Sequence, residues 1–213
     1  MDLMEAIYHR RAVRAYTDRP VEPATVMELL RAAVQAPSGR NEQPWEFGVF
    51  QGRQRLEEFS ARAKHHLVQS LPPFFEAHPE IESYAEHHRN IFHGAGTLIV
   101  IYAVDNRNHN AQDCCLAAQN LMLAAQGLGL GTCPIAHARR WLNLPDVKSE
   151  LGIPQNLVAI FSVVVGYPAG KPPDPPRREP EVVSWLRPEQ RPHVQTLPGR
   201  QSRLAKPPEC AIG

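Results

Sequence analysis

The chain has 213 residues, 43% of them hydrophobic and 21% charged, with a formal net charge of +1. That is enough apolar material for one domain with a sizeable core, and too little net charge for a field that gathers nucleic acid or an anionic membrane. No basic stripe carries interleaved aromatics, no apolar run reaches the ~18 residues of a membrane span, and Met1–Arg11 lacks the apolar stretch of a signal peptide, so a cytoplasmic protein is expected.

Met1–Arg10 reads as a short helix. A second helix begins near Pro23, a residue suited to the first helical turn, and carries Val26, Leu29, Leu30 and Val34 at helical spacing. It stops before Pro37-Ser38-Gly39, a turn signal. Trp45–Phe50 alternates as a strand does, and Arg53–Gln69 reads as a polar helix. Residues 71–93 combine prolines with a charged, histidine-rich run and read as an excursion from the core, a lid. Thr97–Val104 is a nearly continuous β-branched run, as in a strand buried on both faces.

Ala111–Gln126 reads as a helix, with Asp113 in its first turn and Gly127 just past its end. Its apolar residues cover almost the whole circumference, which predicts burial, in part by a partner subunit. Thr132–Ile135 and Leu157–Val165 are further strands. Eleven of the 21 prolines lie from Pro168 onward, too many for helix or central strand. That segment is expected to be an extended arm with a short helix near Glu181–Trp185, and loosely ordered beyond Pro188.

The cysteines Cys114, Cys115, Cys133 and Cys210 show no C-x-x-C spacing and read as small buried hydrophobes. Histidines 65, 66, 87, 88 and 93 are numerous, but no Cys/His/carboxylate set has zinc spacing; no metal is expected.

Two segments concentrate the chemistry. Arg10-Arg11-Ala12-Val13-Arg14-Ala15-Tyr16 offers guanidinium forks that suit a phosphate, although a basic cluster at a helix end is ordinarily a solvated surface. Ala36-Pro37-Ser38-Gly39-Arg40-Asn41-Glu42-Gln43-Pro44-Trp45 offers a loop whose amides can approach a ligand, and side-chain amides with both donor and acceptor groups. An ordinary polar turn would look the same.

Both segments in this order, followed by Gln119-Asn120-Leu121 through Gly131, by Thr132-Cys133-Pro134 and by Gly152-Ile153-Pro154 through Gly166-Tyr167-Pro168, resemble the nitroreductase family over roughly Met1–Pro180. The resemblance implies an α+β fold, a three-layer α/β/α sandwich with a central, mostly antiparallel sheet. It implies a homodimer with one FMN in each of two interface sites and a C-terminal arm exchanged between subunits. The domain division expected is 1–180 for the flavin unit, with 71–93 as lid, and 181–213 for a proline-rich extension.

Carried over residue by residue, Arg10 and Arg11 would meet the phosphate and ribityl chain, and Arg14 would face N1/O2 of the ring. Pro37, Ser38, Gly39 and Asn41 would come from the partner. Pro134, Ile135 and Ala136 would lie along the ring, with the Ala136 N–H near N5, and Arg178 or Arg177 would close on the phosphate. Ala12 stands where the family has serine and Ala136-His137 where many members have Glu-Gly; Asn90 is the guess for a mid-chain contact to the pyrimidine.

The implied activity is a ping-pong, two-electron oxidoreductase: NADH or NADPH as donor, a small-molecule acceptor (nitroaromatic, quinone or enone), and no protein acid or base as catalyst, since the chemistry belongs to the cofactor. The alternatives are reductive dehalogenation, against which Ala136 lacks a hydroxyl and for which Glu80 and Tyr84 could form a clamp, and a flavin carrier or sensor without rapid turnover.

Overall fold

Alternation along the strands makes a sheet with two buried faces. A computed structural model of the protein describes residues 1–70, 90–105 and 108–185. The lid expected at 71–93, with Glu80 and Tyr84, lies outside the described residues except for 90–93, as do Cys210 and the tail beyond Pro188.

The strands β1 (Glu46–Gln51), β2 (Thr97–Ala103), β3 (Gly131–Pro134) and β4 (Val158–Gly166) form one sheet in the order β1-β2-β4-β3. All three pairings are antiparallel. Every residue of β2 is buried, as its continuous β-branched run predicts. Leu98, Val100 and Tyr102 face one apolar layer; Ile99, Ile101 and Ala103 face the other.

The first layer is completed by α3 (Arg53–Ser70), α5 (Arg139–Leu142) and α6 (Pro145–Glu150), with Phe59 tilted against Trp141 at 5.3 Å. The second contains α2 (Pro23–Ala33) and α4 (Asn108–Gly127). Helix α1 (Leu3–His9) packs on α4 and begins with a capping box between Asp2 and Glu5. The three-layer α+β architecture expected from the sequence is therefore present, and among the described residues no helix is long and apolar enough to cross a membrane.

Several boundaries differ from expectation. Helix α4 starts at Asn108 rather than Ala111, so Asp113 lies in its second turn. The helix includes Gly127 and stops at left-handed Gly129 (φ 73°), where Leu130 N–H donates to Ala125 O, the 6→1 bond of a Schellman motif. Strand β3 ends at Pro134, although Ile135 N–H still reaches Ser162 O at 2.8 Å. Cys114 and Cys133 are buried as expected, but Cys115 is exposed. Helices α5 and α6 were not anticipated.

Met1–Asp174 is one compact unit and the chain from Pro175 is another. In the second, the helix expected at Glu181–Trp185 does not form. Short helices such as α5 are held by buried side chains, whereas here Val182, Val183 and Trp185 are exposed and bury too little to offset the cost of helix nucleation.

Candidate functional site

The arginine segment is extended because α1 ends at Arg10, whose ψ of 127° turns the chain out of the helix. From there it runs beside β3 and adds an edge to the sheet. Ala12 bridges Thr132 in parallel, Val13 N–H donates to Thr132 O at 2.9 Å, and Tyr16 bridges Pro168. Two glycines that face each other across β3 and β4 allow this approach. A Cβ on Gly131 would stand 2.6 Å from Val13 Cγ2, and one on Gly166 would stand 2.8 Å from the Tyr16 ring. The backbone comes this close only because both positions lack a side chain.

An extended segment sends successive side chains to opposite sides. Arg14 lines a cleft of about 400 Å³ together with Ile91, His93, Cys133, Pro134, Ile135, Ala136 and His137. Arg10 falls on the same side as Arg14 by the alternation of the extended segment; burial pushes the Cys133 thiol up, and the charges of Arg14 and Arg10 partly offset it. Arg11 points the other way, into a cleft with Lys171 and Asp174. Its Nη1 donates to Tyr8 O at 2.6 Å and its guanidinium is paired with Asp174. The three arginines are therefore divided, and the alternation that divides them was available in the sequence. Arg14 has no ion pair or hydrogen bond among the described residues.

The far wall of the cleft follows from β3. Ser162 Oγ donates to Ile135 O at 2.6 Å, holding the chain as it leaves the strand. The next amide, Ala136 N–H, faces no acceptor among the described residues, while the Ala136 carbonyl accepts from Arg139 N–H. The opposite wall is fixed by Ile91 N–H, which donates to buried Ser60 Oγ at 2.9 Å. Asn90 does not line the cleft: its Oδ1 accepts from Phe92 N–H. His93 is left-handed, at φ 56°.

The second segment forms a 3₁₀ turn at Gly39–Asn41. Arg40, Asn41 and Gln43 have φ of 53°, 57° and 48°, a region that costs roughly 1–2 kcal/mol for each ordinary residue. Such strain clusters where function over-determines the backbone; here three of the four left-handed non-glycine residues described fall on this turn, and the fourth is His93 in the cleft wall. Ser38 Oγ accepts from Gln43 N–H at 3.0 Å. Gly39 N–H donates to Asp113 Oδ2 on α4 at 3.1 Å. None of Pro37, Ser38, Gly39 and Asn41 lines the Arg14 cleft of the same chain. Arg177 and Arg178 belong to the second unit.

Burial lowers the pKa of His137, so its imidazole is neutral at pH 7, beside the cation of Arg14. The folded protein takes up this proton at lower pH than the unfolded chain, whose histidine titrates near 6.5. The stability His137 contributes is thus complete above about pH 6.5 and is lost as the pH falls. Urea titrations at pH 7 and pH 5 are expected to show a smaller stability loss for His137→Gln than for the unaltered protein; equal losses would mean that His137 is not desolvated.

A model of the nitroreductase family matches residues 7–167. An Archaeoglobus fulgidus protein provisionally named NADH dehydrogenase/NAD(P)H nitroreductase is 31% identical over 172 residues, covering 78% of this chain and 86% of its own. The nitrobenzene nitroreductase of Ectopseudomonas oleovorans is 28% identical over 196 residues, covering 76% and 85%. Among solved structures, a Bacteroides fragilis nitroreductase with bound FMN superposes with a TM-score of 0.76 at 25% identity, covering 88% of this chain and all of that one.

Proposed function

The chain belongs to the nitroreductase family, and from that premise we propose that it is an FMN-dependent oxidoreductase that draws on NADH or NADPH and reduces an organic acceptor. The observation that carries the reading is the register of Ala12 on Thr132, which sets Arg14 and the unengaged Ala136 amide along one cleft.

The residues present fit FMN. Guanidiniums suit a phosphate dianion and an electron-rich pyrimidine edge, the Cys133–Ile135 wall suits a flat ring, and a peptide N–H suits an acceptor nitrogen. Bound there, FMN would supply reversible two-electron chemistry. Arg10 would bind the phosphate, while Arg14 would sit beside N1/O2 and stabilise negative charge, at no reorganisation cost in a preorganised site. The Ala136 N–H would orient the ring through N5. Arg11 would act through Asp174, holding the segment in place, and Ala12 supplies backbone only. Arg178 or Arg177 would close on the phosphate. No side chain is assigned as acid or base.

The site would be completed by a second copy, whose Pro37, Ser38, Gly39 and Asn41 would reach the ring. Two features support a homodimer. The turn and the Arg14 cleft are built apart within one chain. Leu3, Met4, Ile7 and Tyr8 of α1 and Leu116 of α4 are exposed, Leu3 by 66% and Tyr8 by 65%, a patch of the kind that marks an interface. The C-terminal arm after 180 is assigned to exchange with the partner, as the family resemblance implies. We assign 1–180 to the flavin unit, with 71–93 as its lid, and a cytoplasmic setting, where both nicotinamides are at hand.

The acceptor is assigned to the nitroaromatic, quinone or enone class, with donor and acceptor using one cleft in turn. A 24% identical relative, the iodotyrosine deiodinase of Haliscomenobacter hydrossis, supports reductive dehalogenation as a second reading. The test is the visible spectrum of the purified protein, with NADH and then NADPH added without oxygen, followed by each acceptor. A flavin band that bleaches and returns with a nitroaromatic or quinone is expected. Return only with a halophenol would favour the second reading, and a colourless protein that FMN cannot reconstitute would end both.

A further inference from the structure

Asp113 is nearly buried, at 7% exposure, in the second turn of α4, away from the helix's free N–H groups. A carboxylate can accept about four hydrogen bonds, and a buried one is costly unless its bonds are made. Among the described residues it accepts one, from Gly39 N–H. The turn, for its part, is otherwise bonded only to itself among the described residues: Asn41 N–H to Ser38 O, Glu42 N–H to Gly39 O, and Gln43 N–H to Ser38 Oγ. Those three bonds are local and cannot place the turn on the body of the protein. Among the described residues, the single hydrogen bond that joins it to another element is the one to Asp113.

We infer that Asp113 is a positioning residue: by accepting the Gly39 amide it fixes the Pro37–Gln43 turn, with its left-handed Arg40, Asn41 and Gln43, in the shape that the flavin bound to a second copy reads. This rests on the shared-site reading above. Asp113 touches no cofactor; it acts through the peptide it holds, and only an acceptor atom at the Oδ2 position is required.

The experiment compares Asp113→Ala and Asp113→Asn with the unaltered full chain, by FMN dissociation constant from fluorescence and by hydrogen exchange of the peptide spanning 37–43. Asparagine keeps an acceptor oxygen and is expected to stay within about threefold of the original FMN affinity. Alanine is expected to weaken binding by at least about tenfold and to accelerate exchange in the turn, leaving exchange in β2 unchanged. Should the alanine variant not fold, Asp113→Leu, which keeps volume and removes the acceptor, carries the same expectation. Alanine or leucine variants that bind FMN as well as the original overturn the inference, and so does an asparagine variant as weak as alanine. An unaltered protein that binds no FMN overturns the reading of the site and this inference with it, whereas failure of the variant contrast alone leaves that reading standing.

Discussion

A single methyl group at position 131 is expected to detach the arginine segment from the sheet. In Gly131→Ala the new Cβ would lie 2.6, 2.8 and 2.9 Å from Val13 Cγ2, Cβ and Cγ1. Val13 is β-branched and stiff at χ1, and its backbone is bonded to Thr132, so it cannot swing aside. Overpacking of this kind costs roughly 1–3 kcal/mol, and relief requires that residues 10–16 lift away, carrying Arg10 and Arg14 with them. A loss of about 2 kcal/mol in urea unfolding is expected, with FMN affinity reduced by more than about tenfold. Removing the neighbour's Cβ as well, in a Val13→Gly/Gly131→Ala double variant, should restore much of the affinity. Unchanged stability and binding in Gly131→Ala would contradict the close approach itself.

Arg14→Ala should act on rate more than on fold. Its guanidinium makes no hydrogen bond or ion pair among the described residues, so its removal orphans no internal partner, and the thermal midpoint should move little. What is lost is a preorganised positive charge where negative charge would develop, and removing one such donor typically costs 10²–10³ in rate. Reduction of the bound flavin by NADH or NADPH, followed by anaerobic stopped-flow absorbance, is expected to slow about a hundredfold, with FMN still bound. Arg14→Lys should fall between, because it keeps the charge without the planar fork. A variant reduced at the original rate would remove Arg14 from the proposed role.

The layers were legible where one period persists. The run of β2 and the 3.6-residue spacing of α2 each announce an element, and both stand at the expected place. Helices α5 and α6, of four and six residues, are too short for periodicity to register, although Pro145 followed by Asp146 was a usable start signal. The start of α4 was missed because Asn108–Asn110 is polar and adds nothing to the apolar pattern. Asp113 has the composition of a helix-start acid; its bond to Gly39 is a long-range fact that no local window contains. The site's two segments were visible as residue types in order. The split between Arg11 and Arg14 was implied by an extended backbone. The left-handed Arg40 and Gln43 were not, since neither residue type favours that region.

The edge that residues 10–17 add to the sheet also orders events in time. Val13 pairs with Thr132, Ala15 accepts from Ala169, and Thr17 N–H donates to Tyr167 O. Residues 13–17 thus find the last of their partners only when synthesis has reached Ala169. At ~5–20 residues per second that is a wait of roughly 10–30 s. Until Gly127 and then Thr132 have been made, α1, with its exposed Leu3, Met4, Ile7 and Tyr8, has neither α4 nor sheet edge to rest on. A nascent chain halted before Tyr167 would lack the last bonds that hold the Arg14 segment against the sheet.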